Sequence, residues 1–488
     1  MAASTAETAN IVRTDLPFRL DRLPWSKWHW MVVIGLGITW ILDGLEVTIV
    51  GSINPTLASK NGLNFTDVET GFAATAYLIG AVIGALGFGY LTDKFGRKRL
   101  FLVTLGWYLV CTTLTAFSWN FASFAVFRML AGMGIGGEYS AVNSAIDELI
   151  PSHRRGTADI AINGSWWIGT LVGALISIPL LNGRYFPPSL GWRLAFAFGA
   201  VLAIMVLFLR KSLPESPRWL LTHGRHEEAE TIAGTIEDEV RAETGGELPP
   251  VKHKHITFDV SRKTGFLATI ETLIRTYPRR TVLVMVLMIT QAFLYNAVFF
   301  NQGLQLTTFF GVKPGDVGLY IIPFAIGNFL GALVLGHFFD ALGRKTMIAG
   351  CYIVSGALMV LSVVLFLNHA LSALTLTILW CVMFFFASAG ASAAYLTVSE
   401  IFPLETRATA IAFVYAVGTL IGGAVAPPVF GALIGTKQPQ MLALAWGLGA
   451  ALMIAGGLTE IVLGIDAERK SLEEIAAPLT AGRLAEAA

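Results

Sequence analysis

The chain has 488 residues, 55% of them hydrophobic and 14% charged, with a formal net charge of +1. Soluble domains carry about a quarter charged residues, so this composition excludes a water-soluble fold. The balanced charge gives no basic surface for nucleic acid.

Residues 1–27, with Asp15, Pro17, Asp21 and Pro24, are too polar for the apolar region of a signal peptide, so the first span serves as the uncleaved insertion signal. Apolar tracts of about twenty residues then recur, each long enough to cross a bilayer as a helix. The pattern predicts helices at 28–50, 68–91, 99–118, 121–146, 158–181 and 190–210, then at 281–309, 315–340, 346–367, 371–399, 405–434 and 439–463. Between the two sets lies a polar stretch, 211–280, in which "HGRHEEAETIAGTIEDEV" reads as one or two short surface helices and "GGELPP" as a break. The expected fold is an all-α membrane protein of twelve transmembrane helices in two six-helix halves, 28–210 and 281–464. A linker (211–280) and a tail (465–488) complete it.

Basic residues set the expected orientation. Lys94, Arg97, Lys98 and Arg99 follow the second span, Arg154 and Arg155 the fourth, Arg344 and Lys345 the eighth, and Arg407 the tenth. The alternate connections hold little beyond Lys60, Arg184, Lys313 and Lys437. The positive-inside rule then places both termini and the linker in the cytoplasm, in a plasma membrane or the inner membrane of a cell that has two. Cys111, Cys351 and Cys381 all fall in apolar tracts, with no zinc spacing and no disulfide framework.

The chain repeats itself. "GYLTDKFGRK" (Gly89 to Lys98) recurs as "GHFFDALGRK" (Gly336 to Lys345), and "ELIPSHRR" (Glu148 to Arg155) as "EIFPLETR" (Glu400 to Arg407). Both pairs fall after corresponding spans, which is the plan of a transporter with its site between two homologous halves. The G-x-x-x-D-[RK]-x-G-R-[RK] pattern resembles the signature of the major facilitator superfamily, over the whole stretch from the first span to the twelfth. Small Gly89 and Gly336 favour close helix approach, and Gly96 and Gly343 permit a tight turn. Asp93, Asp340, Glu148 and Glu400 stand beside Arg97, Arg344, Arg155 and Arg407. Topology alone needs only the bases, so the acids point to ion pairing. In the resembling family such residues close the cytoplasmic mouth.

Two acids, Asp43 and Glu46, interrupt the first span in "ITWILDGLEVTIVG". A carboxylate there is costly and marks a functional position. Spaced by three, the two share roughly one helix face. Arg128 in the fourth span, before the glycine run of "RMLAGMGIGGEYS", is the base expected to pair with them. An acid beside a permanent cation can trade a proton as its surroundings change. "GLEVTIVG" resembles the "GYDTGVISG" of sugar porters, which puts Glu46 first as the proton-coupling acid, Arg128 as its partner and Asp43 as a possible sharer. "DGLE" also resembles the "DGFD" of aromatic-acid/proton symporters.

Candidate substrate groups follow from the same comparison. In "QAFLYNAVFFNQ", Gln291 and Asn296 resemble the glutamine and asparagine of the sugar-porter motif, with Tyr295 and Asn301 nearby. Asn163 and Trp166 in the fifth span, Asp159 one turn earlier, Asn328 in the eighth and Tyr395 in the tenth complete the expected lining. "PESPRWL" (Pro214 to Leu220) and "ERKSLEEI" also resemble sugar-porter segments. "GASAAYLTVSE", however, lacks the prolines and tryptophan of "GPIPW", and Thr290 replaces a second glutamine.

The expectation is a secondary active transporter that moves a small polar metabolite with a proton by alternating access, a sugar or polyol being favoured. An aromatic acid or other organic ion, or a proton-independent sugar facilitator, is the alternative. Drug exporters carry a glycine-proline motif that the fifth span lacks, and no nucleophile-base set or nucleotide loop suggests an enzyme. A solute sensor would need a larger cytoplasmic domain. No cofactor or metal is implied beyond the proton, and the expected partners are substrate and lipid, with the monomer as working unit.

Overall fold

In a bilayer no water satisfies exposed backbone groups, so an apolar tract must close its hydrogen bonds internally as a helix. The computed structural model describes residues 11–58, 62–65, 67–181, 185–210, 213–251, 255–259, 266–312, 317–477 and 479. Lys60, Arg184 and Lys313 lie outside them. The first group of long helices is α2 (Lys27–Ala58), α3 (Asp67–Phe95), α4 (Arg97–Ala116), α5 (Phe121–Leu149), α6 (Arg155–Gly164), α7 (Trp166–Leu180) and α8 (Pro188–Arg210), with the short α1 (Leu16–Asp21) before them. After α9 (Pro217–Thr222), α10 (His226–Thr244) and α11 (Phe266–Glu271) comes the second group: α12 (Pro278–Phe310), α13 (Val317–Ala341), α14 (Arg344–Leu367), α15 (Ala373–Ile401), α16 (Arg407–Gly418), α17 (Ala426–Gly435) and α18 (Pro439–Leu463). A last turn, α19 (Leu472–Ile475), lies near the C-terminus. Among the described residues nine helices are long and apolar enough to cross a membrane.

The two groups pack in the same way. In the first, α3 lies on α5, α4 on α8 and α2 on α7; in the second, α13 lies on α15, α14 on α18 and α12 on α17. Their ends match as well. Asn120–Ser123 opens α5 with a capping box and Ser372–Thr375 opens α15 with another. Gly96 and Gly343, at φ 97° and 102°, turn the chain into α4 and α14, a conformation that a β-carbon disfavours. Between the groups, α3 meets α16 and α13 meets α6. The glycine run of α5 acts as expected: a β-carbon on Gly136 would lie 1.9 Å from the Ala81 carbonyl of α3.

Two of the expected spans are interrupted. The tract at 158–181 breaks at Ser165, whose hydroxyl donates to the carbonyls of Ile162 (2.6 Å) and Gly37 (2.8 Å). Its counterpart at 405–434 loosens into a π-helical turn, Thr419–Gly423, before prolines that cannot donate to the preceding turn. The linker holds more than the expected surface helices. Strand β1 (Ile11–Thr14) pairs antiparallel with β2 (Ile256–Asp259), so the N-terminal segment and the linker form a two-stranded sheet beside the helices.

The amphipathic α10 buries Ala229, Ala233, Ile236 and Val240, and its Glu237 takes Arg19 and Arg22 of the N-terminal segment, both at 2.8 Å. Burial alone would push the Glu237 carboxyl up, but these two guanidinium groups outweigh it and hold it below its ordinary value. A depressed folded-state value means that this contribution is present above about pH 4.3 and is lost as the pH falls through the folded value. Hydrogen exchange is therefore expected to show α1 and α10 losing protection on acidification below about pH 4 while the long spans keep theirs. Glu237→Gln should remove that dependence; an identical acid response in the variant would refute it.

Candidate functional site

Midway along the bundle, between the two groups of helices, lies a cavity of about 200 Å³. The first group supplies Asp43 of α2, Tyr77 of α3, Arg128 and Tyr139 of α5, Asn163 of α6 and Trp166 of α7. Asp43 is saturated with donors. Its Oδ1 accepts from the Tyr77 hydroxyl at 2.6 Å, and its Oδ2 from the Tyr139 hydroxyl at 2.9 Å and the Trp166 indole at 2.8 Å. One turn on, Glu46 does not line the cavity. It forms a buried ion pair with Nη1 of Arg128, and the Thr112 hydroxyl donates to its other oxygen at 3.5 Å. The guanidinium also stacks over Tyr77, 4.3 Å from the ring centre, while its Nε has no hydrogen-bond partner among the described residues. The two acids thus part company: Asp43 faces the cavity and Glu46 holds the arginine behind it.

The second group closes the cavity with Gln291, Tyr295 and Asn296 of α12, Tyr395 of α15 and Tyr415 of α16. Rings dominate the wall. Tyr139 stacks on Tyr415 at 4.4 Å between centroids and sits 5.6 Å from Tyr395, and Trp40 meets Tyr139 at 4.1 Å. Trp167 joins Trp166 on the wall and approaches Tyr295 across the groups at 5.8 Å. Of the expected lining, Gln291, Asn296, Asn163, Tyr295, Trp166 and Tyr395 are therefore brought together. Asn301, Asn328 and Asp159 are not: Asn301 donates to the Ala297 carbonyl within its own helix, Asn328 supports the Tyr295 hydroxyl at 3.0 Å from behind, and Asp159 is buried one turn beyond Asn163. Sequence reasoning missed Tyr77, Tyr139 and Tyr415. A usable signal existed, because a tyrosine hydroxyl in the middle of a span needs a partner.

The repeated motifs meet at one end of the bundle, here termed the charged end. Arg97 pairs with Glu148 at 2.8 Å and Asp93 at 3.4 Å, and Arg344 with Glu400 at 3.0 Å and Asp340 at 2.6 Å. Each aspartate also reaches across to the other group. Asp93 accepts from the Thr409 amide (2.8 Å) and hydroxyl (2.6 Å) at the start of α16. Asp340 accepts from the Gly156 amide (3.2 Å) and the Thr157 amide (2.7 Å) and hydroxyl (2.6 Å) at the start of α6. Both use the positive end of a helix. Arg155 adds a further crossing, to Glu400 at 3.6 Å. Arg407 donates to the Phe402 carbonyl and feels the charges of Asp147 and Glu148.

Gly89 is buried in α3, while a β-carbon on Gly336 would make ordinary contact with Ile160 at 3.4 Å. Within "PESPRWL", Glu215 and Arg218 take separate partners. Glu215 caps α4 at the Arg97 amide (2.9 Å), and burial pushes its carboxyl up despite that contact. Arg218 instead binds Asp21 (3.2 Å) and Glu473 (3.4 Å).

Membrane-crossing helices in two like-packed groups, a ring-lined cavity between them and ionic contacts across one end fit a solute carrier. Residues 26–463 match the family described as "Sugar (and other) transporter". The chain belongs to that family, within the major facilitator superfamily, and is a multi-pass membrane protein and a secondary transporter rather than a member of an enzyme family. The niacin transporter NiaP of Acinetobacter baylyi is 27% identical over 94% of this chain and 99% of its own length. Among solved structures, the proton:xylose symporter XylE bound to 6-bromo-6-deoxy-D-glucose superposes with a TM-score of 0.74 at 19% identity, over 91% of this chain and 98% of that one. The partially occluded inward-open form of XylE from E. coli gives 0.61 at 18% identity, over 89% of this chain and 97% of that one. At these identities the likeness to XylE is one of fold.

Proposed function

We propose that the protein is a proton-coupled symporter of a small planar aromatic acid. The observation that carries this reading is the unequal state of the two charged groups on the cavity wall. Asp43 already holds three donors, whereas Arg128, on the same wall, has a single side-chain acceptor, Glu46, among the described residues. A carboxylate can therefore add to the arginine with its ring among Tyr139, Tyr395 and Tyr415. NiaP, a relative matched along its full length, is named for a pyridine carboxylic acid, which fits the same chemistry.

Charge supplies the coupling. Two carboxylates and one guanidinium leave a net negative site when all are ionised, so an anion binds well only after Asp43 or Glu46 has taken a proton. In this reading twelve spans form two halves, 28–210 and 281–464, that rock about the cavity as a monomer. The nine long spans are joined by α5, α8 and the α16–α17 pair. By the positive-inside rule the basic residues of the charged end support a cytoplasmic position for it and for both termini, in a plasma membrane or cell inner membrane. The sugar or polyol reading is supported by the amides of Gln291, Asn296 and Asn163 on the wall, although aromatic rings outnumber these groups.

The full chain in liposomes is expected to take up nicotinate or benzoate against a gradient and acidify the lumen as it does so. Xylose and inositol should not compete. Competition by the two polyhydroxylated solutes without competition by the acids would replace this substrate class with the second reading. Uptake insensitive to an uncoupler would leave a facilitator.

A further inference from the structure

Asp159 of α6 is fully buried, and neither oxygen of its carboxyl meets a hydrogen-bond donor in bonding geometry among the described residues. The Asn163 amide comes near but is spent on the Asp159 carbonyl at 3.0 Å. The charged groups that bear on Asp159 are Asp147 of α5, Glu400 of α15 and Arg344 of α14. Arg344 is already committed to Asp340 and Glu400. On its own helix, Arg155 lies one turn toward the charged end. Asp340 of α13 is engaged there with Gly156 and Thr157, and Asp43 of α2 meets Trp166 beyond the helix break. Keeping this carboxyl charged beside two further acids, with Arg344 committed elsewhere, would be costly.

Position gives this group a role. A series of polar residues leads from the cavity toward it: the Tyr139 hydroxyl donates to Asp43, the Asn143 amide donates to the Tyr139 backbone carbonyl at 2.7 Å, and the Asn163 amide donates to Asn143 Oδ1 at 3.4 Å and to the Asp159 backbone carbonyl. Beyond Asp159 lie Gly156 and Thr157, the contacts that part if the charged end opens. We propose that Asp159 is a second proton-carrying carboxyl of the transport cycle, set between the cavity and the charged end. Its O–H bond breaks when the charged end opens and water takes the proton away. The bond re-forms with the proton that leaves the Asp43 carboxyl, carried through water admitted along this polar series, before that end reseals. No electrons move, and both carboxyls finish the cycle as they began.

The inference rests on the proton-symport reading, and the experiment separates the two. With the full chain in liposomes, nicotinate exchange (substrate on both sides, no net proton movement) is compared with net uptake driven by a pH gradient. Asp159→Asn is expected to leave exchange within about twofold of wild type while net uptake falls at least about tenfold and loses its pH dependence; Asp159→Glu should retain net uptake. Wild-type net uptake and pH profile in Asp159→Asn would overturn the inference, as would exchange and net uptake falling together, which a merely structural role predicts. If Asp159→Asn does not fold, infrared spectra of Asp159→Glu decide: a protonated-carboxyl band should move relative to wild type, and no movement overturns the proposal. Wild-type uptake without acidification would instead defeat the symport reading itself.

Discussion

Replacing Arg128 with glutamine is expected to cost about 3–5 kcal/mol of stability, because a buried acid is left without its counter-charge. Transport should be abolished as well. Glu46 is 2% exposed and Arg128 1%, so little solvent reaches the acid to offset the lost partner. The stacking on Tyr77 is lost too, a further contribution of about 0.5–2 kcal/mol. The second variant, Glu46→Gln in the Arg128→Gln background, should recover most of the stability and none of the coupled uptake, since a neutral pair needs no desolvated charge. Arg128→Lys should fall between: an ammonium can reach Glu46 but cannot present a planar fork while lying on the ring. Thermal unfolding in detergent, read beside uptake, checks the series as a double-mutant cycle. If Arg128→Gln melts within a degree of wild type, Glu46 is neutral in the resting protein and the ion pair is not the source of stability.

This pair also shows what a sequence makes legible. The helices were readable because lipid leaves a twenty-residue apolar tract one solution, and the tracts from Trp28 to Gly464 are helical with ends displaced by up to eight residues. The charged end was readable because two copies of one motif placed acids and bases together at equivalent positions. Asp43 and Glu46 are harder. Three residues apart, they share a helix face loosely enough that one faces the cavity and the other the arginine behind it. Only the packing of α5 against α2 and α3 decides between them.

The tyrosines were missed for a related reason. Tyr77, Tyr139 and Tyr415 come from three helices distant in sequence, and no local pattern marks them as sharing one wall. Hydropathy is equally blind to the break at Ser165, where side-chain and backbone hydrogen bonds change while the tract stays apolar. The strand pair escaped because four residues near the N-terminus find four beyond position 255.

Removing the acceptors that seal the charged end should shift the conformational equilibrium without unfolding the protein. Asp93 and Asp340 each bind the first amides of a helix from the opposite group, Asp93 through Thr409 and Asp340 through Gly156 and Thr157. Charge-assisted bonds of this kind contribute about 1.5–3 kcal/mol each before solvation of the separated groups is subtracted. The net bias toward the sealed state is therefore about 1–3 kcal/mol per aspartate, a population change of roughly 5–150-fold. Asp340→Asn keeps an acceptor oxygen but loses the charge that the positive start of α6 favours, and should open the end about tenfold more often. Combined with Asp93→Asn, a site with different partners, the effects should multiply to about a hundredfold. Hydrogen exchange at the amides of 156–160 and 409–412 reads this directly. Exchange at both helix starts should rise together, because neither seal can open alone if the helix groups move as rigid bodies. A rise confined to the start of α6 in Asp340→Asn would mean local fraying, and the two aspartates would then be caps rather than parts of one gate.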